Sequence, residues 1–178
     1  MKKAGFSAII LLLGVTACVK IQPVSPVPEI HFKSLKAGLY ADTSLGNQLL
    51  PGAVLVFSFQ DGDADIGVDP SVASDTSLPD SITYNIFLKP FYKIDSIYYP
   101  VKRDTSLPPP FYRILYDPKL DRVGENKTIK GDISINIIDL PVYDTIRYQF
   151  YIKDRANHRS NVETTTDIGV KGLLSKGL

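Results

Sequence analysis

Residues 53–67 read AVLVFSFQDGDADIG, a β-strand pattern that runs directly into an acidic loop. Within it, Leu55, Phe57 and Phe59 alternate onto one face, while Val54 and Val56 occupy the other. A strand that is apolar on both faces is usually central in its sheet and covered on both sides. We therefore expect residues 53–60 to form a core strand around which the other elements pack.

The rest of the chain shows strand patterns and turn signals without helical periodicity. The other strand windows are 29–35, 81–91, 94–101, 111–116, 128–138, 144–153 and 160–168. At 145–153 and at 132–137, apolar and polar side chains alternate with period two, as in half-buried strands. Pro51-Gly52 indicates a turn. These features predict an all-β antiparallel sandwich of about seven or eight strands; a small closed barrel is the alternative.

For three of these windows the sequence makes a further prediction. In two of them it predicts which side chains face inward, and in the third it predicts that the strand lies at the edge of its sheet. The window 81–91 predicts that Ile82 and Tyr84 share one face with Ile86, and the window 160–168 places Val162 on its apolar face. Prolines 108–110 cannot lie in a central strand, so 111–116 is expected at an edge or in an extended loop.

The N-terminal region has the composition of a secretory leader followed by a spacer. Residues 1–17 combine a basic start with an apolar run too short to span a bilayer, which indicates a signal peptide. The sequence Val15-Thr16-Ala17-Cys18 resembles a bacterial lipobox, which implies lipidation of Cys18 and membrane attachment through it. The alternative is an ordinary signal peptide with an incidental cysteine. Residues 18–28 are proline-rich and predict a semi-stiff tether, so the folded domain is expected at 29–178.

Charge and sorting signals limit the partners and the location. Without the leader the chain has 18 basic and 19 acidic side chains, which gives no electrostatic basis for binding nucleic acid. Position 19 is valine and not the aspartate of the usual inner-membrane retention signal. We therefore expect attachment to the outer membrane, on its periplasmic or its cell-surface side.

Residues 154–161, DRANHRSN, resemble the final hairpin of bacterial immunoglobulin-like modules. Asn157 stands where that pattern has glycine, and asparagine is the non-glycine residue best suited to a left-handed turn. Together with the lipobox and the 53–67 segment, the chain resembles Gram-negative (Bacteroidetes-type) lipoproteins with a single immunoglobulin-like domain. This resemblance implies an immunoglobulin-like β-sandwich and an envelope location, and it implies no activity.

The acidic loop has spacing that suits a calcium ion. Asp61, Asp63 and Asp65 alternate with small residues, so a curled loop can direct several carboxylate oxygens at one centre. An EF-hand is excluded because Ile66 replaces its glycine and Val72 replaces its terminal glutamate. Any site must therefore take further ligands from elsewhere in the fold.

The sandwich topology predicts where those ligands come from. If 53–60 is the second strand and 144–153 the sixth, the loops that follow them lie at one pole, which brings Asp154 and Asn157 to the three aspartates. The sequence therefore predicts a calcium site of modest affinity, about 10⁻⁴–10⁻³ M. Two alternatives remain: an ion-pair network with Arg155 or Arg159 and no metal, or a solvated loop that caps a strand end.

Catalysis has little support in the sequence. His31 and His158 lie in segments that need not meet, and there is no Gly-x-Ser-x-Gly or His-Glu-x-x-His motif. We therefore expect a non-enzymatic module that binds or scaffolds a protein partner in an envelope assembly. The alternative is a glycan-binding surface lipoprotein, and a hydrolase is the third hypothesis. The residues that would bind a glycan are Tyr98, Tyr99, Phe111 and Tyr112.

Overall fold

The computed structural model describes residues 24–42, 46, 48–102, 110–118, 127–138, 140–141 and 143–174. Within these ranges the chain forms nine strands. They are β1 (Glu29–Asp42), β2 (Gln48–Asp61), β3 (Ile86–Ile94), β4 (Ile97–Pro100), β5 (Phe111–Tyr112), β6 (Ile129–Ile138), β7 (Thr145–Ile152), β8 (Glu163–Thr164) and β9 (Ile168–Gly169).

The strands form two antiparallel sheets with the strand order of an immunoglobulin-like sandwich. The three-stranded sheet has the order β1-β2-β6, and the other has the order β4-β3-β7-β8, with β5 also paired to β3 and β9 to β7. These orders correspond to strands A-B-E and C′-C-F-G of such domains. The predicted fold class is confirmed. The strand count exceeds the prediction because the last window divides into β8 and β9.

The core lies between the two sheets and is made by alternate residues of each strand. In β7 the burial pattern alternates without exception, and Ile146, Tyr148 and Phe150 face inward. Phe57 of β2 meets Phe150 across the sandwich, with ring centroids 5.0 Å apart. Both rings are fully buried, so this contact between the B-type and F-type strands joins the sheets at their centres.

The predicted turn at Pro51-Gly52 is wrong, because both residues lie inside β2. The β1–β2 hairpin pairs without interruption from Gly38↔Gly52 to Asp42↔Gln48. Proline is tolerated there because β6 begins to pair with β2 only at Gly52, so at Pro51 the strand has β1 as its one described neighbour. Gly52 is required by close packing, since a Cβ would lie 2.9 Å from the carbonyl oxygen of Ile137.

A short helical turn replaces the start of one predicted strand, and the pattern of another is shifted. The helices are α1 (Pro70–Ser74), α2 (Asp80–Thr83) and α3 (Lys171–Leu174). Because α2 occupies the start of the 81–91 window, β3 begins only at Ile86 and Ile82 is 49% exposed. Val162 is likewise exposed, and Thr165 and Ile168 are buried in its place. Within the described ranges, no helix has the length and apolar character needed to cross a membrane.

Candidate cation site at the loop pole

The acidic loop begins at the last residue of the central strand β2. Asp61 still pairs with Ile129 of β6, and its side chain is completely buried. The loop then curls, with Ala64 at φ 58° and Gly67 at φ 113°. The backbone at Ala64 is in the left-handed region that costs about 1 kcal/mol for a residue with a Cβ. This curl directs the alternating aspartates of the loop toward one another.

The turn that follows β7 contacts this loop directly. Ile66 and Asp154 form an antiparallel bridge. The backbone N–H of Arg155 donates to the carbonyl oxygen of Asp65 (3.2 Å), and that of Ala156 donates to its side-chain Oδ2 (3.0 Å). The two loops therefore meet at one end of the sandwich, as the topology predicted. We call residues 61–69 and 154–158 together the loop pole.

Three carboxylates form a cluster at the loop pole. One oxygen from each of Asp61, Asp63 and Asp65 can be chosen so that all three lie within 4.8 Å of one another. Both oxygens of Asp61, Oδ1 of Asp63 and Oδ1 of Asp65 are buried without a hydrogen-bond partner among the described residues. Buried polar atoms without partners are rare and costly, so these four oxygens require a ligand or a proton.

Burial with few donors changes the pKa values of the cluster. Burial, followed by the negative charges of Asp63 and Asp65, raises the pKa of Asp61 to about 7, although the nearby backbone N–H of Asp65 opposes this shift. The pKa of Asp65 is also raised, first by burial and then by the charges of Asp154 and Asp63, although the N–H of Ala156 and the Arg155 charge oppose this shift. The cluster therefore holds negative charge that the described side chains around it, Arg155 included, offset only in part.

The side chains of Asp154 and Asn157 make other contacts. Asp154 accepts hydrogen bonds from the backbone N–H of His158 (2.7 Å) and from its ring Nδ1 (2.8 Å). Asn157 accepts from Lys153 (3.0 Å) and has φ 74°, the left-handed conformation expected at this position. The turn thus contributes backbone N–H groups and the nearby charge of Asp154, and the cluster of oxygens comes from the three loop aspartates.

The segment before β1 also packs on the acidic loop, which sequence reasoning missed. A Cβ on Gly62 would collide with the backbone carbonyl oxygens of Val24 and Ser25. Pro28 is fully buried, so the packed chain extends beyond the predicted start at residue 29. The signal in the sequence was the glycine between two aspartates, which permits this close approach.

The four aromatic residues assigned to glycan binding do not form one platform. Tyr98 and Phe111 lie on the outer face of the larger sheet, opposite Lys93 and Phe87 of β3 respectively. Tyr99 faces the other way and stacks on Tyr92, with centroids 5.7 Å apart. Tyr112 packs against the core. Tyr98 and Phe111 therefore share a face but lie about 20 Å apart along β3, at about 3.4 Å per residue.

The comparisons with known proteins add no relative. No family model, no curated protein and no solved structure gives a significant match to the chain. The leader and Cys18 lie outside the described residues, so lipidation stays a prediction from the lipobox.

Proposed function

We propose that the protein is a non-enzymatic, lipid-anchored binding or scaffolding module of the Gram-negative outer membrane, whose loop pole is stabilised by calcium. The observation that carries the calcium assignment is Asp61, which is fully buried and has no hydrogen bond of normal geometry to either carboxylate oxygen among the described residues. A buried carboxylate is tolerated when it is paired with a cation or is protonated. At a pKa of about 7 a proton is only partly retained at neutral pH, so a cation is the more effective partner.

The chemistry of the cluster suits calcium. All of its ligand atoms are hard carboxylate oxygens, which calcium prefers. One oxygen from each carboxylate lies within 4.8 Å of the others, and two oxygens bound to one calcium ion at about 2.4 Å can lie up to about 4.8 Å apart. Asp61, Asp63 and Asp65 would hold the ion.

Calcium bound by these aspartates would stabilise the loop pole. Asp61 ends the central strand β2, and Asp65 is bound to the turn after β7 through the N–H of Ala156. An ion shared by these carboxylates therefore connects the two sheets at one end of the sandwich. Its role would be structural: it removes the repulsion that three close carboxylates impose on the loop.

The same pole would lie next to the membrane. Residues 24 and 25 pack on Gly62, and residue 24 lies six positions after Cys18. A fully extended chain of that length spans about 20 Å. With Cys18 lipidated, the loop pole would therefore stay within about 20 Å of the lipid surface, and the sheet faces and the opposite end of the sandwich would be presented to partners.

Thermal unfolding of the full protein in calcium and in chelator tests the metal. With a Kd of about 10⁻⁴ M, calcium at a hundredfold excess over Kd stabilises the fold by about 2.7 kcal/mol, and a higher melting temperature is expected. Asp63→Ala should abolish the increase. The matched control is Asp95→Asn, which removes an exposed acidic group from the β3–β4 turn at the opposite end of β3. Equal melting temperatures in calcium and chelator would remove calcium from the proposal.

Intact-mass measurement of the protein isolated from membranes tests the anchor. The expected mass is that of the chain from Cys18 onward plus its acyl groups, and Cys18→Ser should release an unmodified protein from the membrane fraction. A mature mass without acyl groups would contradict the lipid anchor and leave the calcium test unaffected.

A further inference from the structure

From the outer face of the β4-β3-β7-β8 sheet we infer a binding surface for an acidic polysaccharide. The inference names a ligand for the module proposed above and rests on its role in binding, but it does not depend on calcium. We call this surface the cationic face. Its five cations project from β3, β7 and the turn beyond β7: Lys89, Lys93, Arg147, Lys153 and Arg159.

Each cation lies over an aromatic ring of the same sheet. The Arg147 guanidinium carbon is 3.3 Å from the centroid of Tyr98, and that of Arg159 is 3.8 Å from the centroid of Tyr151. The three lysines are 5.2–5.7 Å from rings, namely those of Phe91, Tyr98 and Phe87. Stacking fixes the positions of long side chains that would otherwise be mobile, so the cations form an ordered array before any ligand binds.

The negative charge on the face does not balance these cations. Among the described residues, the one carboxylate that pairs with them is Asp167, which contacts Lys93 (3.2 Å) and accepts from the Tyr98 hydroxyl (2.8 Å). Neither Arg147 nor Arg159 forms a salt bridge within the part of the chain that the structure describes. The face therefore complements a ligand with several negative groups, and the stacked guanidinium groups retain free N–H donors for carboxylates.

The composition of the face favours a polysaccharide over a folded protein. Protein interfaces place apolar anchors at their centres and deplete lysine there, but here the central ring of Phe87 is 8% exposed beneath its neighbours. Lys89, Gln149 and Thr164 lie side by side across β3, β7 and β8. This row provides one charge and two uncharged polar groups, which suits a chain that carries both carboxylates and hydroxyls.

Binding of polygalacturonate, a polymer of uronic acids, to the full lipoprotein in non-ionic detergent tests the inference. We expect binding at about 0.01 M salt that is largely lost at about 0.15 M, because the Debye length falls from about 30 Å to about 8 Å. Neutral dextran should not bind. Polyglutamate and a single-stranded oligonucleotide serve as anionic polymers of other classes, and tighter binding of either one than of polygalacturonate would overturn the assignment.

Matched double variants locate the site. Lys89→Gln with Arg159→Gln removes two exposed charges of the cationic face and should weaken polygalacturonate binding about tenfold, the combined effect of two exposed ion pairs. Lys36→Gln with Lys130→Gln removes two exposed charges from the three-stranded sheet and should leave binding unchanged. Equal losses in both variants would contradict a site on this face. Adding chelator should not alter binding, so failure of the calcium proposal is distinguishable from failure of this one.

Discussion

Asp61 and Asp154 are both buried at the loop pole, but their carboxylates have opposite surroundings. Asp154 receives two hydrogen bonds from His158, one from the backbone and one from the ring. Asp61 has no hydrogen bond of normal geometry among the described residues and faces two further carboxylates, and its pKa rises to about 7. Burial by itself therefore does not decide what a carboxylate does. Asp154 is satisfied by the protein and acts as a structural acceptor, while Asp61 requires a partner that the described residues do not supply.

Of the substitutions that test this difference between the two carboxylates, the one at Asp61 should change the free energy of unfolding most. Asp61→Asn removes the buried charge but keeps the shape, so in chelator at pH 8 we expect the variant to be about 2 kcal/mol more stable than the parent protein. In calcium it should gain nothing, because a ligand and its charge are lost. Denaturant unfolding with and without calcium measures both effects. A variant that is less stable in chelator would contradict the assignment of Asp61 as an unsatisfied anion.

Substitution of Asp154 should destabilise the protein, which is the opposite of the effect expected for Asp61→Asn in chelator. Asp154→Ala leaves the partly buried N–H of His158 without its acceptor and also removes the hydrogen bond to the His158 ring, which together cost about 1–3 kcal/mol. The loss should be similar in calcium and in chelator if Asp154 is not a ligand of the ion. A calcium response that disappears in this variant would place Asp154 in the metal site, as the sequence first suggested.

The metal-free protein should lose stability as the pH rises toward neutrality. The pKa of Asp61 is about 7 in the folded state and near its ordinary 3.8 when unfolded, so the folded state binds an extra proton between these values. The free energy of unfolding should therefore fall between about pH 4 and pH 7, with a slope from this group approaching about 1.4 kcal/mol per pH unit. Asp65 contributes in the same direction.

Calcium should flatten this pH dependence, because the ion replaces the proton as the partner of the cluster. Urea unfolding in chelator at a series of pH values, repeated with Asp61→Asn, measures the slope that belongs to this carboxylate. If both proteins show the same slope, protonation of Asp61 does not contribute to the stability of the fold.

The smallest effect is expected at Asn157, the other turn residue that the sequence assigned to the metal. Because its φ is 74°, Asn157→Gly should change stability by only a few tenths of a kcal/mol, whereas Asn157→Ala should cost about 1 kcal/mol. Both variants should keep the full calcium response, since the side chain accepts from Lys153. A reduced calcium-induced increase in melting temperature for Asn157→Gly would show that the amide binds the ion.

The alternation of apolar residues predicted which segments form strands better than it predicted where those strands begin and end. The windows over β6 and β7 were right almost to the residue because one face of β7 is buried along its length and one face of β6 along most of it. The errors fall where the structure depends on neighbouring strands as well as on the local pattern. Pro51 lies inside a strand because β6 does not yet pair with β2 at that residue. Ile82 lies in α2, outside the sheet. A two-residue period cannot report where a pairing partner begins.

Sequence alone determined the class of fold and the acidic loop at the end of a core strand, and lipid attachment at Cys18 stays a prediction from it. It also predicted that two distant loops share a pole, because the sandwich topology requires it. Tertiary structure alone decided which carboxylates have donors: Ala156 donates to Asp65 from 91 positions away, and His158 supplies two hydrogen bonds to Asp154. Hydrogen bonds and desolvation depend on neighbours in space. The local sequence around Asp61 therefore could not show that its carboxylate lacks a hydrogen-bond partner.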